Sequence, residues 1–176
     1  MEQLQRYLNH SKIDVVFKQN KDDFVVTEIP LYEFSGEGEH LVLKIRKKDL
    51  ATWDAIEILA KFLNCSSRDF GYAGLKDKNA MTVQSISVHR KYEEKLKSFQ
   101  HENLKILETT YHNNKIKVGH LKGNKFFIRL KIVNAIKKIK INEAFELIVT
   151  NVIPNYFGFQ KFGIDGDNYK KGKDIN

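Results

Sequence analysis

Leu41-Val42-Leu43-Lys44-Ile45-Arg46, followed after a short polar link by Thr52-Trp53-Asp54-Ala55-Ile56-Glu57-Ile58-Leu59-Ala60-Lys61-Phe62-Leu63, sets a strand beside a helix. In the first run Leu41, Leu43 and Ile45 alternate with Val42, Lys44 and Arg46, the period of a strand with one strongly apolar face. In the second, Trp53, Ile56, Leu59, Ala60 and Leu63 recur at helical spacing, so Trp53 to Leu63 is expected to lay one face on a sheet. Thr52 is the expected N-cap, with Asp54 in the first turn where a carboxylate favours the helix dipole.

More strands lie to either side. Ile13 to Phe17 reads as a short strand, and Phe24-Val25-Val26-Thr27-Glu28-Ile29 as a β-branched one ended by Pro30. Phe70 to Gly74 reads as extended, Met81 to Val88 and Leu104 to Tyr111 as strands, and Tyr92 to Phe99 as helical. Gly119 to Asn124 is expected to be a loop. Beyond it Phe126, Ile128, Leu130 and Ile132 share one face of a long strand, with Phe127, Arg129 and Lys131 on the other. Phe145, Ile148, Val149 and Val152 predict a helix from about Asn142 to Asn151, closed by Pro154. Strands outnumber helices, and the connections are mostly too short for βαβ crossovers. The expected fold class is α+β, a mixed, mainly antiparallel sheet with helices packed on one face.

The 176 residues suit one well-packed domain, and 41% hydrophobic with 30% charged residues is the composition of a globular chain rather than a disordered one. No apolar run approaches the roughly 20 residues of a membrane span. Met1 to His10 is polar and predicts no signal peptide. Cys65 is the single cysteine, which allows no internal disulfide and suits a reducing, cytoplasmic setting. The six histidines show no ligand-type spacing, so no metal site is expected.

The net charge is +8, and its placement says more than its size. Between Thr109 and Asn142 there is no Asp or Glu, while Lys115, Lys117, Lys122, Lys125, Arg129, Lys131, Lys137, Lys138 and Lys140 all fall there. Such segregation suits a face that meets a polyanion, with RNA the commonest candidate. A solvated lysine-rich surface is the plainer alternative. A membrane surface fits less well, because the stretch alternates like a strand rather than forming a basic amphipathic helix.

Three segments could carry chemistry. Gly71-Tyr72-Ala73-Gly74-Leu75-Lys76-Asp77-Lys78-Asn79-Ala80-Met81-Thr82 sets a carboxylate between two lysines in a turn. A nearby cation favours the ionised form of Asp77 and readies it as nucleophile or base, although Lys-Asp-Lys-Asn is also good turn chemistry. In Gly123-Asn124-Lys125-Phe126 an amide can bond a base edge and an aromatic can stack on a base. Alternation alone places Phe126 in the core beside Ile128 and Leu130, unless its position at a strand end lets it floor a pocket as well. Asn155-Tyr156-Phe157-Gly158-Phe159-Gln160-Lys161-Phe162-Gly163 is too aromatic for one short element to bury, and could line a nucleotide site.

These segments, with Phe24-Val25-Val26-Thr27-Glu28, Gly38-Glu39-His40-Leu41 and Gln84, stand in the order seen in the TruD family of tRNA pseudouridine synthases, which the chain resembles from Asp14 to about Asn168. The resemblance implies part of the pseudouridine synthase catalytic domain. It implies isomerisation of a uridine in the D-arm of tRNA, typically position 13, with no cofactor or metal. Asp77 maps onto the family's essential aspartate. Asn124 and Phe126 map onto pocket-lining positions, and Lys76 and Glu28 onto further positions near the site. The target base must leave its stack to be reached, and a face-on ring such as Phe126 would hold it there.

The resemblance also implies a chain about twice this long, with a second domain inserted after the aromatic Gly-rich motif. On that reading residues 1–176 are the N-terminal portion of the catalytic domain, without the inserted domain or the C-terminal part. Lys161 stands where the family often has Arg and keeps the charge. Two other readings stay open: a truncated, non-catalytic RNA-binding fragment, and a chain that self-associates through an exposed apolar half-sheet.

Overall fold

A computed structural model of the protein describes residues 12–151. Val16–Lys131 form one unit, which holds the sheet; residues 12–15 and 132–151 belong to a second. In the first unit the strands are β1 (Phe24–Pro30), β2 (His40–Lys48), β3 (Gly71–Tyr72), β4 (Met81–His89), β5 (Leu104–His112) and β6 (Leu121–Ile128). Their order is β5-β2-β4-β1-β6, with β3 also on β4. Only β1 and β4 run parallel, so the sheet is mixed and mainly antiparallel, as the sequence predicts.

The alternation of β2 orders the core. Leu41, Leu43 and Ile45 are buried in phase and meet Ile86 and Val88 of β4 and Leu104 of β5. Helix α1 (Thr52–Leu63) covers this half of the face with Ala55, Ile56, Leu59, Ala60 and Leu63. Each such Leu or Ile contributes about 1.5–3 kcal/mol by leaving water, so this half is the anchor of the unit. A short helix, α2 (Glu93–Leu96), adds Leu96 to the same core.

Two strands share one edge of β4. β1 pairs with its first residues, Val26 opposite Thr82, and β3 pairs further on, Gly71 opposite Ser87. Ser85 lies where one neighbour gives way to the other, and its backbone N–H donates instead to the Glu28 carboxylate, 3.3 Å away. Gly71 is required at this edge because a Cβ there would collide with the Ile116 carbonyl oxygen and Ser87 Oγ. Ser87 Oγ already accepts the Ile116 N–H. Gly71→Ala is therefore expected to cost about 1–3 kcal/mol through overpacking, read as a lower urea midpoint, whereas Gly74→Ala, whose Cβ would meet only ordinary contacts, should change it little.

Several expectations are corrected. Thr52 does not cap α1; Ala51 does, and Ala51 N–H is held by Asp54 Oδ2 at 2.8 Å, which frees the Thr52 hydroxyl for the interior. Trp53 is 46% exposed and packs edge-on against Tyr72 rather than entering the core. Ile13 to Phe17 reduces to a single bridge, Val16 with Lys131. Leu121 to Asn124 are strand, not loop, because they pair with β1 as far as Pro30. β6 ends at Ile128, and Ile132 has a φ of 59°, which breaks the alternation read through it.

In the second unit, helix α3 (Ala135–Thr150) begins about two turns earlier than about Asn142, because Asn134 Oδ1 caps it by accepting the Lys137 N–H at 2.9 Å. Lys137, Lys138 and Lys140 are therefore helical, and the acid-free stretch is not one strand-like run. Pro154 and the segment Asn155–Gly163 lie outside the described residues.

Candidate active site

The half of the sheet face that α1 leaves belongs to β1 and β6. Phe24, Val26 and Glu28 share this face, and their cross-strand partners are Ile128, Phe126 and Asn124. Thr82 and Gln84 of β4 continue it, and Ile45 and Lys47 of β2 are the next partners. The motif loop between β3 and β4 carries Lys76 and Asp77.

Glu28 and Lys76 form the polar centre. Their side chains meet at 2.7 Å and both residues are buried, at 7% and 8% exposure. One Glu28 oxygen binds the Lys76 ammonium and the other accepts the Ser85 N–H. The pair is thus satisfied by geometry that only the β1/β3 junction supplies. The Lys76 ammonium is committed inward to Glu28 rather than to the neighbouring Asp77.

Asp77 is exposed, and among the described residues no hydrogen bond or ion pair holds its carboxylate. The backbone beneath it, by contrast, is held at several points. The Lys76 N–H donates to Thr52 Oγ1 at 2.9 Å, the Thr52 hydroxyl donates to Gln84 Oε1 at 3.0 Å, and Gln84 Nε2 donates to the Gly74 carbonyl at 3.4 Å. Lys47 Nζ donates to the carbonyls of Lys76 and Asp77. The loop presents a free carboxylate from a fixed backbone, an arrangement suited to attack on a bound molecule because nothing has to be broken first.

Phe126 is 56% exposed, so of its two readings the one from alternation alone, burial in the core, does not hold. One side of its ring stacks on Phe24 at 6.1 Å and 29°, which supports it while leaving area for another ring. Lys18, which sequence reasoning passed over, sits with its ammonium 3.9 Å from the centre of the Phe24 ring in a left-handed backbone conformation. Asn124 is exposed opposite Glu28, and among the described residues no hydrogen bond holds its amide, which can meet a base edge. The structure thus joins Glu28 to Lys76 by contact and sets Asn124 and Phe126 on the same face. No hydrogen bond or ring contact joins Asp77 to either of the last two.

The basic stretch is less uniform than its composition. Arg129 and Lys131 reach back to the buried carboxylate of Asp23, at 3.4 and 2.8 Å. The Lys131 ammonium, with help from the Asn20 N–H, holds the Asp23 carboxyl below its ordinary value. Lys122 and Lys125 remain exposed on β6. Among the described residues no three His, Cys, Asp or Glu side chains gather as a metal site, and no helix is long and apolar enough to cross a membrane.

The sequence matches the family model of tRNA pseudouridine synthase D (TruD) over residues 3–175. It is 57% identical over 166 residues to a tRNA pseudouridine synthase D of Sulfurimonas denitrificans, covering 94% of this chain and 46% of that protein. It is 54% identical over 169 residues to one of Nitratiruptor sp., covering 96% and 47%. The chain therefore spans about half the length of these curated relatives. Its fold matches a crystal structure described as tRNA pseudouridine synthase D from Methanosarcina mazei, with a TM-score of 0.76, 27% identity, and coverage of 88% of this chain and 36% of that one.

Proposed function

We propose that this chain, which belongs to the tRNA pseudouridine synthase D (TruD) family, forms the N-terminal portion of a catalytic domain that isomerises a uridine of tRNA to pseudouridine, at position 13 of the D-arm. The observation that carries the reading is the free Asp77 carboxylate on a backbone fixed by Thr52, Gln84 and Lys47. The isomerisation breaks the bond from N1 to the sugar and makes one from C5. It needs a nucleophile at the sugar or the ring while the first bond is broken, a surface on which the freed uracil turns, and loss of the proton from C5.

Asp77 supplies the nucleophile. The exposed face of Phe126 takes the flipped base, and its lack of a hydroxyl offers no competing acid. Asn124 bonds the base edge. Glu28 and Lys76 hold the floor of the site and keep the loop on the sheet. Exposed lysines such as Lys122 and Lys125 favour the phosphate backbone, so tRNA binding should weaken steeply with salt.

Incubating the full-length protein with a tRNA transcript and mapping modified nucleosides by mass spectrometry tests the reading. A single pseudouridine at position 13 is expected, and it should vanish when that uridine is replaced by cytidine. Product at another position, or none, would refute the assignment. Phe126→Ala should weaken binding of the reactive tRNA by about 1–3 kcal/mol, the worth of one stacked base. Because the ring is half exposed, the same variant should leave the urea midpoint close to that of the unmodified protein.

A further inference from the structure

We propose that Lys47 is the positioning residue of the Asp77 loop: its buried ammonium places its three protons on the carbonyl oxygens of Leu50, Lys76 and Asp77, and so fixes the direction in which the Asp77 carboxylate is presented. The inference rests on the reading of Asp77 as the reacting group. Lys47 is fully buried, one of the largest side chains in the protein with no exposed surface. It continues the row Leu41, Leu43, Ile45 on the covered face of β2, where an apolar residue would complete the core. A charge in that row is costly unless its hydrogen bonds are all met. Here they are met by backbone, at 2.7 Å to Leu50 and 3.2 Å to each of Lys76 and Asp77. Among the described residues no carboxylate lies within ion-pair distance of Nζ.

The charged groups facing it are few. Asp77 in the loop and Asp54 on α1 favour the ammonium, and Lys76, itself held by Glu28, opposes it. Burial dominates and pulls Lys47 from 10.5 down to about 8. A neutral amine keeps two donors and turns a lone pair toward the third carbonyl, so the loop loses a bond and gains a repulsion. The sign of the stability effect is opposite. Lys47 binds its proton less tightly in the folded state than in the unfolded chain, so its neutralisation favours folding as pH rises from about 8 towards 10.5. Activity lost through neutralisation of Lys47 is therefore local to the loop and does not come from unfolding by that group.

The test uses the full-length protein with lysine labelled at Cε with carbon-13. One lysine signal should titrate near 8, be absent in Lys47→Met, and move to lower pH in Asp77→Asn, which removes a favourable carboxylate. The kcat of the unmodified protein should fall on the same limb while tRNA affinity stays flat. In Lys47→Met, kcat should drop about 100-fold, the size expected from a misplaced reacting group. The Lys76 amide, which is bonded to Thr52 Oγ1, should lose protection from exchange while those of β2 and β4 keep theirs. Wild-type kcat or loop protection in Lys47→Met would overturn the proposal. If that variant does not fold, a kcat that stays flat through the Lys47 titration would do the same. Absence of isomerisation in the unmodified protein would instead refute the function, and the titration and loop protection would still judge the role of Lys47.

Discussion

Asp77→Asn in the full-length protein should bind tRNA as before and leave it unmodified, with single-turnover formation of pseudouridine reduced by at least about 10³-fold. The substitution is nearly isosteric, and the carboxylate it removes is exposed and makes no bond among the described residues, so neither folding nor the loop backbone depends on it directly. The backbone carbonyl of Asp77, which accepts from Lys47, is unchanged. What changes is the ability to form a covalent bond, because an amide oxygen is a far weaker nucleophile than a carboxylate. A gel-shift titration alongside the product assay separates the two effects. A loss of binding equal to the loss of product would mean that Asp77 holds the substrate rather than reacting with it.

Lys76→Met should destabilise the protein by about 3–5 kcal/mol, the usual result of removing one partner of a buried ion pair. Glu28 would remain in the interior with one oxygen on the Ser85 N–H and the other facing the vacated space. The double variant Glu28→Gln with Lys76→Met should recover part of that loss, because it removes the stranded charge while Gln keeps an acceptor for Ser85. Urea unfolding followed through the sheet-bearing unit reads both. Equal destabilisation by the single and double variants would show that the lysine stem, and not its charge, does the holding.

Much of this was legible in the sequence. The β2 alternation and the α1 periodicity led directly to the anchored half of the sheet, because apolar burial there obeys the two simple periods. The motif containing Asp77 falls, as its turn chemistry predicts, in a loop, the one between β3 and β4. The errors share a cause. Thr52 read as a cap because its type and position suit one, yet its hydroxyl is used by a loop 24 residues away in sequence. Alternation alone places Phe126 in the core because it reports which face a residue takes, not whether that face is covered. Arg129 and Lys131 read as free cations because their partner, Asp23, is more than a hundred residues upstream. Lys47 did carry a signal: a lysine in phase with Leu41, Leu43 and Ile45 must find its bonds in the interior.

The most direct measurement is release of tritium from tRNA whose uridines carry it at C5. Forming the new bond from that carbon expels its hydrogen, so the full-length protein should release one tritium to water for each pseudouridine formed, from position 13, and Asp77→Asn should release none. Release by Asp77→Asn at the unmodified protein's rate, or no release by a protein that binds tRNA, would contradict the role assigned to Asp77.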